Sequence, residues 1–382
     1  MKKKVFTSLG IMSGTSMDGI DLSIIESDGI KEFKAILDDY YEFDSKLQKK
    51  IENLRDKLFN IDDLDKNLIE VNEIEREITL FVAEKVNKFI KNTNQDIDII
   101  GFHGQTILHD SQKKISKQLG NGKLLSSLTN KIVVDNFREK DLLNGGQGAP
   151  LTPIFHKIVS KSIHKNHKIQ FPISILNIGG IANITKIIDE NDDLEANIFA
   201  YDIGPGNCLI DSWIKKNSHK KFDFKGNLAK SGNVNQLILN QAIDNFCESS
   251  FDKSLDVKDF DLSFAKGLSF EDGCATITKF TAHLISEGIN FADNSKDKTS
   301  FHILVAGGGR KNEFLMNCLK KNLSDKGITI DDIDNYSFDG DFIESQAFAY
   351  LAIRNLLQLP ITFPNTTRCV KPSLGGDLNK NF

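Results

Sequence analysis

Apolar residues recur at steps of three and four along one stretch, where Leu64, Leu68, Val71, Ile74, Ile78, Phe81, Val82 and Phe89 stand among Glu, Lys and Asn. A helix gathers such positions on one stripe, so the spacing predicts a long amphipathic helix over 64–89. Elsewhere short apolar runs stop at small residues. Ile97-Asp98-Ile99-Ile100 predicts a strand ending in a glycine loop, Gly101-Phe102-His103-Gly104-Gln105-Thr106. Ile132-Val133-Val134 predicts another, ahead of Asn144-Gly145-Gly146-Gln147-Gly148-Ala149-Pro150. Residues 301–306 read as a buried strand halting at Gly307-Gly308-Gly309, followed by Asn312 and a helix through Phe314, Leu315 and Cys318. A last helix is expected over 344–357, before an irregular tail with Pro360, Pro364, Pro372 and Gly375-Gly376.

The pattern contains an internal echo. At 10–26, GIMSGTSMDGIDLSIIE reads as strand, turn, strand, with Ser13-Gly14-Thr15-Ser16-Met17-Asp18-Gly19 at the tip; at 173–185, ISILNIGGIANIT repeats that organisation. Small-residue amides at such a tip let a phosphate approach the backbone, and an acidic side chain can hold the accompanying magnesium. An ordinary polar hairpin turn is the other reading of each tip taken alone. Further on, Ala200-Tyr201-Asp202-Ile203-Gly204-Pro205-Gly206-Asn207 runs from a strand into a helix starting near Cys208, whose amides would favour an anion. The fold class is α/β, in two similar halves. The glycine cluster near 145 marks the boundary, dividing the chain into 1–145 and 146–359, with the tail 360–382 completing the first half.

Composition narrows the function classes. The chain has 382 residues, 40% hydrophobic and 26% charged, which is ordinary for folded domains. Its 48 basic and 53 acidic residues leave a net charge of -5 without a basic stripe, so no nucleic-acid or anionic-membrane partner is implied. A small-molecule ligand fits better. Cys208, Cys247, Cys274, Cys318 and Cys369 lack CxxC spacing, which argues against a zinc site or a disulfide framework and for the cytosol. The start Met1-Lys2-Lys3-Lys4 and the apolar residues after it imitate a secretory signal, but the run is short and lacks an A-x-A-like site. No run approaches the ~18 apolar residues of a membrane span. The assembly is not legible here; a homodimer is one expectation.

Three glycine turns after strands, split between two halves, point to a nucleotide cradled from two sides. No GxxxxGK[ST] occurs, and no GxGxxG opens a helix after the first strand, so a P-loop is excluded as the vehicle. Phosphoryl transfer needs positioning, charge neutralisation and a base. Asp18, Asp21 and Asp202 are the carboxylates in these turns. Asp202 at a strand end is a candidate base, with a helix N-cap as the alternative, and Asp21 could be a polar position on the outward strand face. His103 and His109 lack metal-ligand spacing, and His103 is read as substrate-side support. Ser13, Thr15 and Ser16 lack a GxSxG elbow, so phosphate hydrogen bonding suits them better than nucleophilic attack.

Eight ordered blocks together resemble the anhydro-N-acetylmuramic acid kinases. They are GIMSGTSMDGID at 10–21, GFHGQTI at 101–107, FREKDLLNGGQGAPLTPIFH at 137–156, LNIGGIANIT at 176–185, DIGPGNCLIDSW at 202–213, EDGCATITKFTA at 271–282, AGGG at 306–309 and ESQAFAYLA at 344–352. The resemblance implies the actin/Hsp70/sugar-kinase fold, two ribonuclease-H-like domains flanking an ATP cleft. It implies ATP and Mg2+ as cofactors, and the conversion of 1,6-anhydro-N-acetylmuramic acid and water to N-acetylmuramic acid 6-phosphate in peptidoglycan recycling. Carried over by motif position, Gly14, Thr15, Ser16, Met17, Asp18, Gly19, Ile20 and Asp21 would bind the phosphates, with Asp18 on the metal. Gly204, Pro205, Gly206 and Asn207 would supply a second phosphate side, and Gly307, Gly308, Gly309 and Asn312 the adenosine side. Asp202 would be the general base, while His103, Gln105, Asn183 and Glu344 would serve the sugar.

The chain departs from the family pattern at three places. Asn136-Phe137-Arg138 stands for an Asp-Phe-Arg block, with Asp135 one position early; Arg368 follows the Thr-Thr pair in place of glycine; and Asp252 replaces a proline. Two rival functions remain open at this level. An ordinary sugar kinase would use Asp202 on a sugar hydroxyl without ring opening, and a nucleotide-switched chaperone or filament relative would need an added peptide-binding or polymerising surface.

Overall fold

Along β1 (Phe6–Ser13), large Leu9 and Ile11 alternate with small Ser8 and Gly10, so the strand offers a bulky face and a flat one. In a computed structural model, which describes residues 4–93, 95–246, 254–292 and 301–382, both faces are covered. Cys247, the Asp252-Lys253 pair and the start Met1-Lys2-Lys3 lie outside the described residues. Leu9 and Ile11 join Val71, Ile74, Ile78 and Val82 of the helix Leu68–Thr93 in one core. The flat face carries the helix Ile343–Leu356. A Cβ on Gly10 would lie 1.9 Å from the Ser345 carbonyl oxygen, and one on Gly101 would lie 2.2 Å from that of Phe348. Ser8 Oγ donates to the Ala349 carbonyl at 2.8 Å, and the Ser23 and Ser345 hydroxyls meet at 2.6 Å. Gly10 pairs with Ser23 on one side and Gly101 on the other, making a stripe of small residues across three strands.

The chain divides into two units, one of residues 1–159, 194–196 and 342–382, the other of 160–193 and 197–341. This differs from the expected halves in three respects: the first boundary falls after 145, residues 194–196 belong to the first unit, and the helix expected over 344–357 joins it as well. That helix is buried on nearly all sides, so it has no polar stripe to betray which sheet it covers.

The first unit's sheet runs β12-β6-β4-β1-β2-β3, with β2 (Gly19–Ser27), β3 (Phe33–Glu42), β4 (Ile99–Asp110), β6 (Ile132–Asp135) and β12 (Asp377–Asn379); β5 (Ile115–Leu119) pairs with β4. β1, β2 and β3 form an antiparallel meander, and β4 and β6 run parallel to β1. The second unit's sheet runs β11-β10-β7-β8-β9, from β7 (Ile173–Ile178), β8 (Ile181–Ile187), β9 (Ile198–Pro205), β10 (His302–Ala306) and β11 (Thr329–Asp332). Again three strands meander and two run parallel to the first of them. Both sheets therefore have ribonuclease-H-like order.

Local expectations shift in three places. The helix expected over 64–89 breaks at Asn67, whose side-chain amide donates to the Asp63 carbonyl at 2.8 Å and caps the short helix Ile61–Lys66. The glycine loop expected at 101–106 is instead the middle of β4, where Gly101 serves close helix packing and Gly104 takes φ 78°. Asp202 sits inside β9 rather than at its end, and Asn207, not Asp202, holds the N-cap position of the helix Cys208–Asn217.

Candidate functional site

The β1–β2 hairpin owes its shape to groups beneath it. Ser13 Oγ donates to Gln105 Oε1 at 2.7 Å, and Gln105 Nε2 donates to the Gly14 carbonyl at 3.1 Å. Gln105 is 1% exposed. Its amide therefore clamps the turn, which differs from the expected contact with sugar. Met17 takes φ 56° and turns its side chain into the core, where Ile20 also lies. The side chains at the surface of the tip are Thr15 and Ser16, beside half-buried Asp18. Ser16 Oγ donates to Asp18 Oδ1 at 2.5 Å. A Cβ on Gly14 would meet nothing nearer than Ser16 Oγ at 3.8 Å, so a ligand can approach this backbone. Gly19 is glycine for another reason: a Cβ there would lie 2.4 Å from the Tyr41 carbonyl oxygen. Asp21 stands half-buried in β2 opposite Met12 and Tyr40.

Among the described residues, no three His, Cys, Asp or Glu side chains converge to hold a metal. A single carboxylate such as Asp18 would suffice for magnesium, which takes most of its ligands from water and phosphate oxygens.

A second polar group in the first unit centres on Arg138, a residue of the 137–156 block to which no role was assigned from sequence. Arg138 Nε donates to His103 Nε2 at 3.1 Å, and Arg138 Nη1 donates to the Gly148 carbonyl at 2.8 Å. His103 Nδ1 then carries the proton and donates to the Gly104 carbonyl at 2.8 Å. Burial, reinforced by the Arg138 charge, holds His103 well below its ordinary pKa. Both ring nitrogens are thus engaged, one by Arg138 and one by the Gly104 carbonyl. Burial pushes the Glu344 carboxyl up, while the Arg138 charge opposes that shift. The glycine cluster is held by buried Asp141, which accepts from the Gly148 amide at 2.7 Å and the Thr367 hydroxyl at 2.6 Å.

Two of the three departures fall at backbone positions of one kind. Asn136 and Arg368 have φ 54° and 64°, a left-handed conformation that Asn tolerates and Gly adopts without cost. Asp135 accepts from the Gly122 amide at 2.8 Å and Asn379 Nδ2 at 2.9 Å, pinning the tail strand.

In the second unit Asp202 is 8% exposed. Its Oδ2 accepts from the Leu255 amide at 2.9 Å and the Ser254 hydroxyl at 3.2 Å. Both bonds favour the ionised carboxylate. Asn183 faces it across the β8–β9 ladder. The β7–β8 tip, Gly179-Gly180, meets the Gly204–Asn207 block through backbone bonds: the Gly206 and Cys208 amides donate to the Gly180 carbonyl at 2.9 and 3.2 Å, and the Asn207 amide to that of Gly179 at 2.7 Å. These helix-start amides were expected to meet phosphate; the structure spends them on the hairpin. Gly204 and Pro205 are buried strand residues.

The Gly307–Gly309 turn also differs from expectation. A Cβ on Gly307 would lie 2.4 Å from Asn177 Oδ1 and one on Gly309 would lie 2.2 Å from Ile178 Cγ2, so β7 fills both places. Gly308 faces open space to 4.0 Å. Asn312 Oδ1 accepts from the Leu315 amide at 3.0 Å and caps the helix Glu313–Leu323, which is its evident work.

Residues 6–380 match the family model described as anhydro-N-acetylmuramic acid kinase. A protein of that name from Pelagibacter ubique is 53% identical over 382 residues, covering 100% of both chains. One from Brucella canis is 36% identical over 377 residues, covering 97% of each. Among solved structures, the Acidaminococcus fermentans (R)-2-hydroxyglutaryl-CoA dehydratase component A aligns at 13% identity and a TM-score of 0.43, over 92% of this chain and 99% of that one.

Proposed function

The chain belongs to the anhydro-N-acetylmuramic acid kinase family, and from that premise we propose that Asp202 is the base of a coupled hydrolysis and phosphorylation. The family activity converts 1,6-anhydro-N-acetylmuramic acid, water and ATP to N-acetylmuramic acid 6-phosphate and ADP, a step of peptidoglycan recycling. The observation that carries the assignment is the buried Asp202 carboxylate, with one oxygen anchored by the Ser254 hydroxyl and the Leu255 amide. A carboxylate anchored in this way can take a proton without moving.

Water attacks the anomeric carbon and gives a proton to Asp202; the C1–O6 bond breaks with its electrons on O6; O6 attacks the γ-phosphorus and ADP leaves. The net release is one proton. On this reading Gly14, Thr15 and Ser16 receive the triphosphate, Asp18 serves its magnesium, and Gly308 lies beside the adenosine. Magnesium supplies neutralisation of the phosphate charge. Glu344 and Arg138 serve the sugar, with Gln105 and His103 holding the groups around them in place. A cytosolic location belongs to the same proposal; among the described residues, no helix is long and apolar enough to cross a membrane.

Turnover in oxygen-18 water tests the chemistry. Label at C1 of the product is expected; unlabelled C1 with label-free phosphorylation would leave an ordinary sugar kinase.

A further inference from the structure

Asn183 presents a buried acceptor that the protein leaves unsatisfied: its Oδ1 is shielded from solvent and has no hydrogen-bond partner within the chain. Buried polar atoms of this kind are rare because each unmade bond costs about 1–3 kcal/mol. An ordered water or a ligand hydroxyl is the usual resolution. The ladder register says which neighbour matters. Asn183 pairs with Asp202 across β8 and β9, and the register shifts at the next step, where Ala182 pairs with Gly204 and Ile203 is the extra residue. Directly opposed residues place their Cβ atoms about 4.5–5.5 Å apart on one face of a sheet. A bulge beside such a pair is a common device for aiming a side chain at a functional centre, and Gly204, at φ 147°, absorbs the distortion here.

We infer that Asn183 is a further catalytic residue, the second acceptor for the attacking water, so that Asn183 Oδ1 and the Asp202 carboxylate each take one of its two hydrogens. This rests on the reading of Asp202 as a base toward water. A water that donates both hydrogens has its lone pairs left to face an electrophile, and two acceptors fix that direction where one would leave it free to rotate. Two oxygens about 5 Å apart can share one water at ordinary hydrogen-bond lengths of ~2.8 Å. Ser254 and Leu255 hold Asp202 Oδ2 in place, which fixes the carboxylate on the strand that faces Asn183. In the attack step the oxygen bonds to C1 while the proton on the Asp202 side transfers. The proton on the Asn183 side stays with the oxygen and becomes the C1 hydroxyl hydrogen.

Three measurements on the full-length enzyme test this. Asn183→Leu removes an unsatisfied buried acceptor for an apolar group of similar shape, so its melting temperature should equal or exceed that of the parent. Its ATP affinity should stay within about twofold while kcat falls ~10-fold or more. Asn183→Asp should move the acid limb of the kcat profile to higher pH, because two carboxylates around one water resist joint ionisation. Wild-type label incorporation at C1 separates the two claims. If C1 is unlabelled, the water-attack reading fails. If it is labelled while Asn183→Leu keeps parental kcat or Asn183→Asp leaves the acid limb in place, this inference alone is overturned.

Discussion

Arg138 Nε lies 3.1 Å from His103 Nε2, a contact that requires the imidazole to be an uncharged acceptor. The ring's other nitrogen donates to the Gly104 carbonyl, so the tautomer follows from its neighbours. Replacing His103 with Leu removes the acceptor and frees the guanidinium. The KM for the anhydro sugar should rise ~10-fold or more, the scale of one lost hydrogen bond to a charged group, while ATP binding holds. His103→Gln, which restores an acceptor, should recover most of that loss in steady-state kinetics. Equal effects of Leu and Gln would remove the acceptor role.

Asp202→Asn keeps the shape and loses the base. Its turnover should drop by roughly 10²-fold or more, with ATP affinity by calorimetry unchanged. Near-normal turnover would take Asp202 out of the mechanism.

Gly10→Ala forces a methyl into the space of the Ser345 carbonyl, 1.9 Å away. The sheet and the helix Ile343–Leu356 must separate, at a cost of about 1–3 kcal/mol or more. Urea unfolding should show a lower midpoint, and an unchanged midpoint would mean the contact is looser than drawn.

Gly307 and Gly308 should behave differently although they are neighbours. Gly307→Ala meets both a φ of 78° and Asn177, and should lower the melting temperature. Gly308→Ala should melt like the parent yet raise the KM for ATP. A parental KM would place the adenosine elsewhere.

Buried histidines set the acid limit of stability. Burial holds His109 and His156 down to about 3, and His103 lies well below its ordinary value. Below pH 6.5 the unfolded chain binds protons that the folded one refuses, so stability falls with falling pH. The loss is about 1.4 kcal/mol per pH unit for each such histidine, continuing until its folded pKa is reached. Melting temperatures between pH 7 and 4 should decline with that slope, and a flat profile would mean these rings are hydrated.

Much of the architecture was legible in local pattern. The period of apolar residues located the helix now bounded by Leu68 and Thr93, and the two hairpins that echo each other are the first two strands of two sheets with one topology. The glycine clusters and the family blocks also belong to the chain read alone, because each is a local preference of the backbone or a short run of residue types. What tertiary structure decided is how groups distant along the chain consume one another. Asp202 is anchored by Ser254, 52 positions away, and the small face of the helix Ile343–Leu356 finds Gly10 more than three hundred residues earlier. Hydrogen-bond donors carry no label for their partners: the amides of Gly206 and Asn207 look available to phosphate in sequence, and only folding brings the Gly179 and Gly180 carbonyls to occupy them. The same logic leaves Asn183 with an acceptor that no protein group fills, a fact that exists only once two strands are paired.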